Sequence, residues 1–262
     1  IKSVEFHGVV MTTAITAVTA QNTLGVSQVI VLNPSFVKEQ INSTLNDFDV
    51  NAIKIGMLGS KELIFQIENI IKDLKIPIIL DPVAISRAGS KLIDDEAIQS
   101  LKNLFKYSYI ITPNKYEAKL FFDIDKIEDI KKIKNPQTNI LFKNMIEDKS
   151  KTVDILLKKD GTVEEFEAPR ANEKNTHGTG CTFSASIASL IAKNYSLEEA
   201  IQESKNYIYK AIKNAPNLGS GNGPINHSLK WFICLNKGLF KQITPKIRNQ
   251  KRDIFWNHNM KK

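Results

Sequence analysis

The chain has 262 residues, 42% hydrophobic and 24% charged, which is enough for one sizeable core and typical of globular proteins rather than disordered or fibrous ones. Its two cysteines, Cys181 and Cys234, are too few for a disulfide framework or a Cys-rich zinc site, and the longest apolar stretch, Cys181 to Ala192, is shorter than the ~20 residues that cross a bilayer. The formal net charge of +8 sits mostly in Lys237 to Lys262, which hold eight Lys or Arg against one Asp, so no basic patch on the body argues for a nucleic-acid partner.

Ile1 to Gly8 carries neither an initiator Met nor a cleavage pattern, so no signal peptide is expected, and free thiols fit a reducing, cytoplasmic setting. The Thr- and Ala-rich stretch Thr12 to Ala20 leads into Gln21-Asn22-Thr23. A buried glutamine at a strand end offers a heterocycle both a donor and an acceptor; a plain turn is the competing reading. Asn33 before Pro34 is a helix cap with proline at the first helical position, and Val37, Ile41, Leu45 and Phe48 repeat behind it at helical spacing. The runs Ile53 to Leu58, Ile76 to Leu80, Tyr109 to Ile111 and Ile140 to Phe142 are too short for helices and predict parallel strands covered on both faces. Leu63, Ile67, Ile70, Ile71 and Leu74 predict a helix between the first two.

Val153 to Leu157 and Thr162 to Phe166 flank Asp160-Gly161, the signal of a hairpin and hence of an antiparallel edge. Ser196 with Glu199 predicts a capping box for a helix running towards Lys213, and Gly219, Gly221, Gly223 and Pro224 mark a loop. Alternating strands and helices predict an α/β sandwich with a mostly parallel sheet, whose ligands gather at the carboxyl ends of the strands.

Candidate site residues follow those strands. Met57 lies against either a flat ring or the core, and Asp81 is either functional or the start of a turn. Asn114 and Glu117 stand three apart after Tyr109 to Ile111; they suit a hard Mg²⁺ ion, and ordinary helix capping explains the same pair. Lys143 ends the strand Ile140 to Phe142, where it can balance phosphate charge, although in so lysine-rich a chain a solvated lysine is the commoner case. Gly178-Thr179-Gly180 opens an apolar helical pattern, so its amides and the helix dipole favour an anion. Cys181 in that first turn is either a low-pKa thiolate able to accept a proton or a small packed residue.

Taken in order, Thr19-Ala20-Gln21-Asn22-Thr23, Lys54-Ile55-Gly56-Met57-Leu58, Asp81-Pro82-Val83, Thr112-Pro113-Asn114-Lys115-Tyr116-Glu117-Ala118, Lys143, Asn175 to Thr182 and Gly223-Pro224-Ile225-Asn226-His227 resemble the hydroxymethylpyrimidine and hydroxymethylpyrimidine-phosphate kinases of thiamine biosynthesis. The resemblance implies a ribokinase-like three-layer α/β/α sandwich over residues 1–227, a basic extension at 228–262, and a small-molecule pyrimidine substrate phosphorylated with ATP and Mg²⁺. It implies that Gly178, Thr179 and Gly180 form the anion hole, and that Cys181 stands where related sugar kinases carry an Asp base. Asn114 and Glu117 would serve Mg²⁺ and phosphate, Asp81 the metal, Lys143 the ATP phosphates, and Gln21 and Met57 the pyrimidine pocket. A homodimer is compatible with it.

Two departures stand out. The family's opening strand and glycine-rich segment, with a substrate-contacting Asp, have no counterpart here, so the sheet is expected to lack its first strand. Lys143-Asn144-Met145 stands where relatives usually have Lys-Gly-Gly. A pyridoxal-type vitamin kinase and a non-catalytic remnant of such a kinase are the alternative readings.

Overall fold

A computed structural model describes residues 1–85, 92–171 and 174–229. The chain opens with α1 (Lys2–Phe6), and the segment 9–16 joins no sheet before the hairpin β1 (Ala17–Gln21) and β2 (Val26–Val31). Next come α2 (Pro34–Leu45), β3 (Ile53–Ile55), α3 (Lys61–Ile71), β4 (Ile78–Leu80), α4 (Asp95–Lys102), β5 (Ile110–Ile111), α5 (Lys115–Phe122) and α6 (Ile127–Ile130). β6 (Asn139–Glu147), β7 (Lys151–Leu157), β8 (Val163–Pro169), α7 (Thr179–Ala192) and α8 (Leu197–Lys213) complete the order.

The main sheet runs β3-β4-β5-β6-β7-β8, parallel as far as β6 and antiparallel beyond it. Because side chains alternate across a strand, each strand feeds two cores. Ile78, Leu80, Ile111, Ile140 and Phe142 point to the side covered by α2 to α6, while Ile79, Ile110, Leu141 and Leu156 meet α7 and α8. Strands buried on both faces explain the continuous apolar runs, and the result is an α/β/α sandwich.

Local chemistry sets the helix starts. Asn33 accepts a hydrogen bond from the Ser35 amide with Pro34 at the first helical position. Ser196 and Glu199 form the expected capping box, and α8 ends at Lys213 as expected. The hairpin around Asp160-Gly161 is also present, with Gly161 at φ 89°.

Two expectations are corrected. Phe48 is not part of α2, which ends at Leu45, and its ring is exposed because the chain has already turned away from the core. The strand at Ile140 does not stop at Phe142: β6 continues to Glu147 through an irregularity in its pairing with β7. There Asn144 takes φ 53°, a left-handed conformation that Asn tolerates, and its amide donates to Asp154 Oδ1 at 2.7 Å. Asp154 in turn pairs with Lys205 of α8 at 2.7 Å, both buried.

Among the described residues no helix is long and apolar enough to cross a membrane. Leu229 is the last buried residue described; residues 230–262, with Cys234, Trp231, Trp256 and nearly all of the expected basic extension, lie outside the described residues.

Candidate active site

The carboxyl ends of the parallel strands and the start of α7 converge on a small set of charges. Asp81 follows β4, and its amide donates to the Ile55 carbonyl of β3. Thr112 follows β5, and Lys143 in β6 is fixed by its amide on the Pro113 carbonyl at 2.9 Å. Lys143 Nζ meets Asp81 Oδ1 at 2.8 Å, Thr112 donates its hydroxyl to the same oxygen at 3.3 Å, and Ser184 of α7 donates to Oδ2 at 3.3 Å. Far from being a solvated surface group, Lys143 is buried.

Gly178 caps α7 with φ 84°, a conformation glycine adopts without strain. Two residues on, a methyl group added at Gly180 would lie 3.6 Å from Lys143 Nζ and 3.9 Å from Asp81 Oδ2. The glycine turn, the cation and the carboxylate therefore form one constellation. A glycine turn at a helix N-terminus and an ammonium together bind phosphate oxygens.

Glu117 sits behind this cluster, 1% exposed. Its Oε2 accepts the Asn114 amide at 2.8 Å and its Oε1 the Ala84 amide at 3.2 Å, while Asn114 accepts the Tyr116 and Glu117 amides, completing a capping box. Asn114 Nδ2 also donates to the Ile85 carbonyl at 3.3 Å. Capping thus occupies Asn114 and Glu117, two of the three residues expected to serve the metal, and ties α5 to the segment after β4. Burial pushes the Glu117 carboxyl up to about 7, with Lys143 opposing and Asp81 adding to the rise.

Cys181 corrects a further expectation. Its residue surface reaches solvent, yet the inner side of the thiol is closely surrounded. Desolvation there and the nearby Asp81 carboxylate raise its pKa, outweighing the lysines and the helix start that favour a thiolate. Gln21 is exposed rather than buried, because β1 belongs to a hairpin outside the main sheet; its Nε2 lies 3.4 Å from His177 Nε2. Met57 is half-buried and accepts the Thr16 hydroxyl on its carbonyl at 2.9 Å.

The architecture and these motifs match known proteins. The family model for phosphomethylpyrimidine kinase matches residues 1–226. The chain belongs to the phosphomethylpyrimidine kinase family. It is 36% identical over 239 residues to the hydroxymethylpyrimidine/phosphomethylpyrimidine kinase of Haemophilus influenzae, covering 87% of this chain and 89% of that one. The crystal structure of phosphomethylpyrimidine kinase from Clostridium difficile superposes with a TM-score of 0.70 at 35% identity, covering 81% of this chain and 90% of that one. The ADP complex of Bacillus subtilis pyridoxal kinase superposes with a TM-score of 0.75 at 27% identity, covering 88% and 91%.

Within this family member the structure brings Asp81, Lys143, Glu117 and the Gly178 to Cys181 turn together, and sets Gln21 at the turn's approach beside His177. Sequence reasoning missed Thr112, Ser184 and Lys54 as contributors. The Lys54 ammonium lies over Gly56 and acts electrostatically on both Asp81 and Cys181. Lys54 and Thr112 stand inside the Lys54 to Leu58 and Thr112 to Ala118 motifs, and Ser184 two residues beyond Thr182, which was the available signal. A separate cavity of about 570 Å³ between α1, α7 and α8 shares none of the site residues.

Among the described residues no three His, Cys, Asp or Glu side chains form a metal-holding group. Glu117 is engaged at both oxygens, and Asp81 Oδ2 takes the Ser184 hydroxyl. This donor set fits a cation that arrives with nucleotide phosphates and keeps several waters, as Mg²⁺ does, and does not fit a preformed cage.

Proposed function

We propose that this protein transfers the terminal phosphoryl group of ATP to the hydroxymethyl group of 4-amino-5-hydroxymethyl-2-methylpyrimidine, or to the phosphate of its monophosphate. The observation that carries the reading is the buried Lys143–Asp81 pair set against the Gly178 to Gly180 turn. Residues 1–227 form the catalytic unit in this reading, with 228–262 as an appendage, and a free Cys181 with ATP as donor fits the cytoplasm.

Phosphoryl transfer asks the protein for positioning and charge stabilisation more than for covalent chemistry. Lys143 and the amides of Gly178, Thr179 and Gly180 take up charge on the moving group, and Gln21 and Met57 flank the pyrimidine. Asp81, with Glu117 and Asn114 through water, would hold Mg²⁺, whose charge neutralises the phosphates. Cys181 keeps its proton at neutral pH, so it orders the acceptor alcohol beside the transfer point and serves as a base only weakly.

The test offers the full chain ATP and Mg²⁺ with the hydroxymethylpyrimidine or with pyridoxal, following ADP release and the phosphorylated alcohol by mass. Turnover of the pyrimidine above pyridoxal is expected. Preference for pyridoxal would install the vitamin-kinase reading, and no turnover of either would remove the kinase reading.

The same reading includes a homodimer through the β1–β2 hairpin. No Asp, Glu, Lys or Arg occurs between Glu5 and Lys38, and the cross-strand pair Val18 and Ile30 is exposed at 54% and 57%. A two-stranded hairpin is marginal alone, and an uncharged edge is open to pairing. Sedimentation should give twice 29.5 kDa, with Ile30→Glu reverting to monomer; a wild-type monomer would rule the dimer out.

A further inference from the structure

The tip of the β1–β2 hairpin is tied to the phosphate-binding turn through a third segment, residues 219–223. Thr23 accepts the Asn222 amide on its carbonyl at 2.9 Å and the Gly221 amide on its hydroxyl at 3.2 Å. Asn222 Oδ1 in turn accepts the Thr176 amide at 2.8 Å and the Thr176 hydroxyl at 3.3 Å. The His177 amide donates to the Gly223 carbonyl at 3.0 Å, and the Gly223 amide donates to the buried Asn175 Oδ1 at 2.9 Å. Thr176 and His177 run directly into Gly178, the cap of α7.

Steric evidence points the same way. A methyl group on Gly219 or Gly221 would overlap Thr23, and one on Gly223 would overlap the Asn175 side chain and the Leu218 carbonyl. Three glycines within five residues are thus each required by close approach to the two segments they join.

We propose that Thr23 and Asn222 are positioning residues, and that residues 219–223 strap the hairpin to the Gly178 to Gly180 turn so that acceptor alcohol and phosphoryl group are held in register. The inference rests on the kinase reading above. Register decides where the phosphoryl group goes: an alcohol out of line leaves water as the acceptor, giving ADP and inorganic phosphate instead of ADP and the phosphorylated alcohol.

The test compares Asn222→Ala and Thr23→Ala with Asn222→Asp, which keeps an oxygen for both Thr176 donors, and Thr23→Ser, which keeps the hydroxyl. Asn222 is exposed, so its replacement leaves the core intact. ADP formed per alcohol phosphorylated should be near one in the wild type and rise in both alanine variants. In those variants kcat for the alcohol should fall by about tenfold while KM for ATP moves less than about twofold, with near-complete rescue in the conservative pair. Unchanged coupling and kcat in the alanine variants, or a lower Tm alone, would overturn the strap.

Should the wild type phosphorylate no alcohol, the kinase reading fails and hydrogen exchange decides the strap by itself. Asn222→Ala should then speed exchange at both Gln21 to Gly25 and Asn175 to Gly178, leaving β6 to β8 unchanged. Faster exchange on one side alone, or on neither, would sink it.

Discussion

Lys143 Nζ lies 2.8 Å from Asp81 Oδ1 with the two side chains only 10% and 4% exposed. Burial alone disfavours both charges, yet attraction wins: Asp81 is held below its ordinary pKa by Lys143 and Lys54, and Lys143 above its own by Asp81 and Glu117. Removing one partner strands a buried charge, so Lys143→Met should destabilise the fold by ~3–5 kcal/mol. Turnover should fall on the order of 100-fold or more, as when one charge-stabilising group is lost. Adding Asp81→Leu should recover stability in thermal melts without recovering turnover. Recovered turnover would mean that neither charge serves the phosphates.

The Glu117 carboxyl holds its proton up to about 7 in the folded chain, against 4.5 ordinarily. Between those values the folded state binds more protons than the unfolded one, so this group's contribution to stability is full below 4.5 and is lost as pH rises to about 7. The loss is on the order of 3 kcal/mol. Urea denaturation at pH 5 and pH 8 should show this decline in the wild type and not in Glu117→Gln. An equal decline in both would assign it to other groups.

Gly180 and Gly178 should respond differently to alanine. A methyl at Gly180 meets only ordinary contacts, and the residue is already helical, so Gly180→Ala should leave the melting temperature unchanged or slightly raised. It intrudes where phosphate oxygens would meet Lys143, so turnover should collapse. Gly178→Ala forces a side chain into φ 84° and should cost about 1–2 kcal/mol. Near-normal phosphorylation by Gly180→Ala would remove the anion-hole assignment.

Burial and Asp81 keep the Cys181 thiol protonated at neutral pH. Peptide-resolved alkylation with iodoacetamide should therefore be slow at pH 7 and accelerate only above the ordinary cysteine range. Rapid labelling of Cys181 at pH 7 would reverse the assignment and restore it as a thiolate, present at neutral pH and able to accept the alcohol proton. Cys181→Ser should keep much of the turnover, since a hydroxyl can still order the acceptor.

Much of this fold can be read from short-range patterns. Ile78 to Leu80 and Ile140 to Phe142 alternate between two cores, and an unbroken apolar run is what two-sided burial produces. Caps at Asn33, Asn114 and Ser196 are local and equally legible. The end of β6 was not, because Asn144 continues the strand through a left-handed residue that sequence reads as a stop. Nor was the state of Cys181, since a helix start lowers a thiol pKa while burial and, after it, Asp81, 100 residues away in sequence, raise it. Lys143 gave no chemical sign that set it apart from other lysines; its place after a buried strand did, and the partner that buries it is visible only in three dimensions.

The change from parallel to antiparallel pairing at β6 also bears on the order in which the protein assembles. β6, β7 and β8 are successive hairpins with short loop closures, whereas β3, β4 and β5 reach their places only through helical crossovers. Lys143 belongs to the strand shared by both halves, and Asp81 arrives with the half that is slower to close. Their union marks completed assembly, so in refolding the capacity to bind nucleotide should emerge with the last kinetic phase, after β6 to β8 are already shielded from exchange.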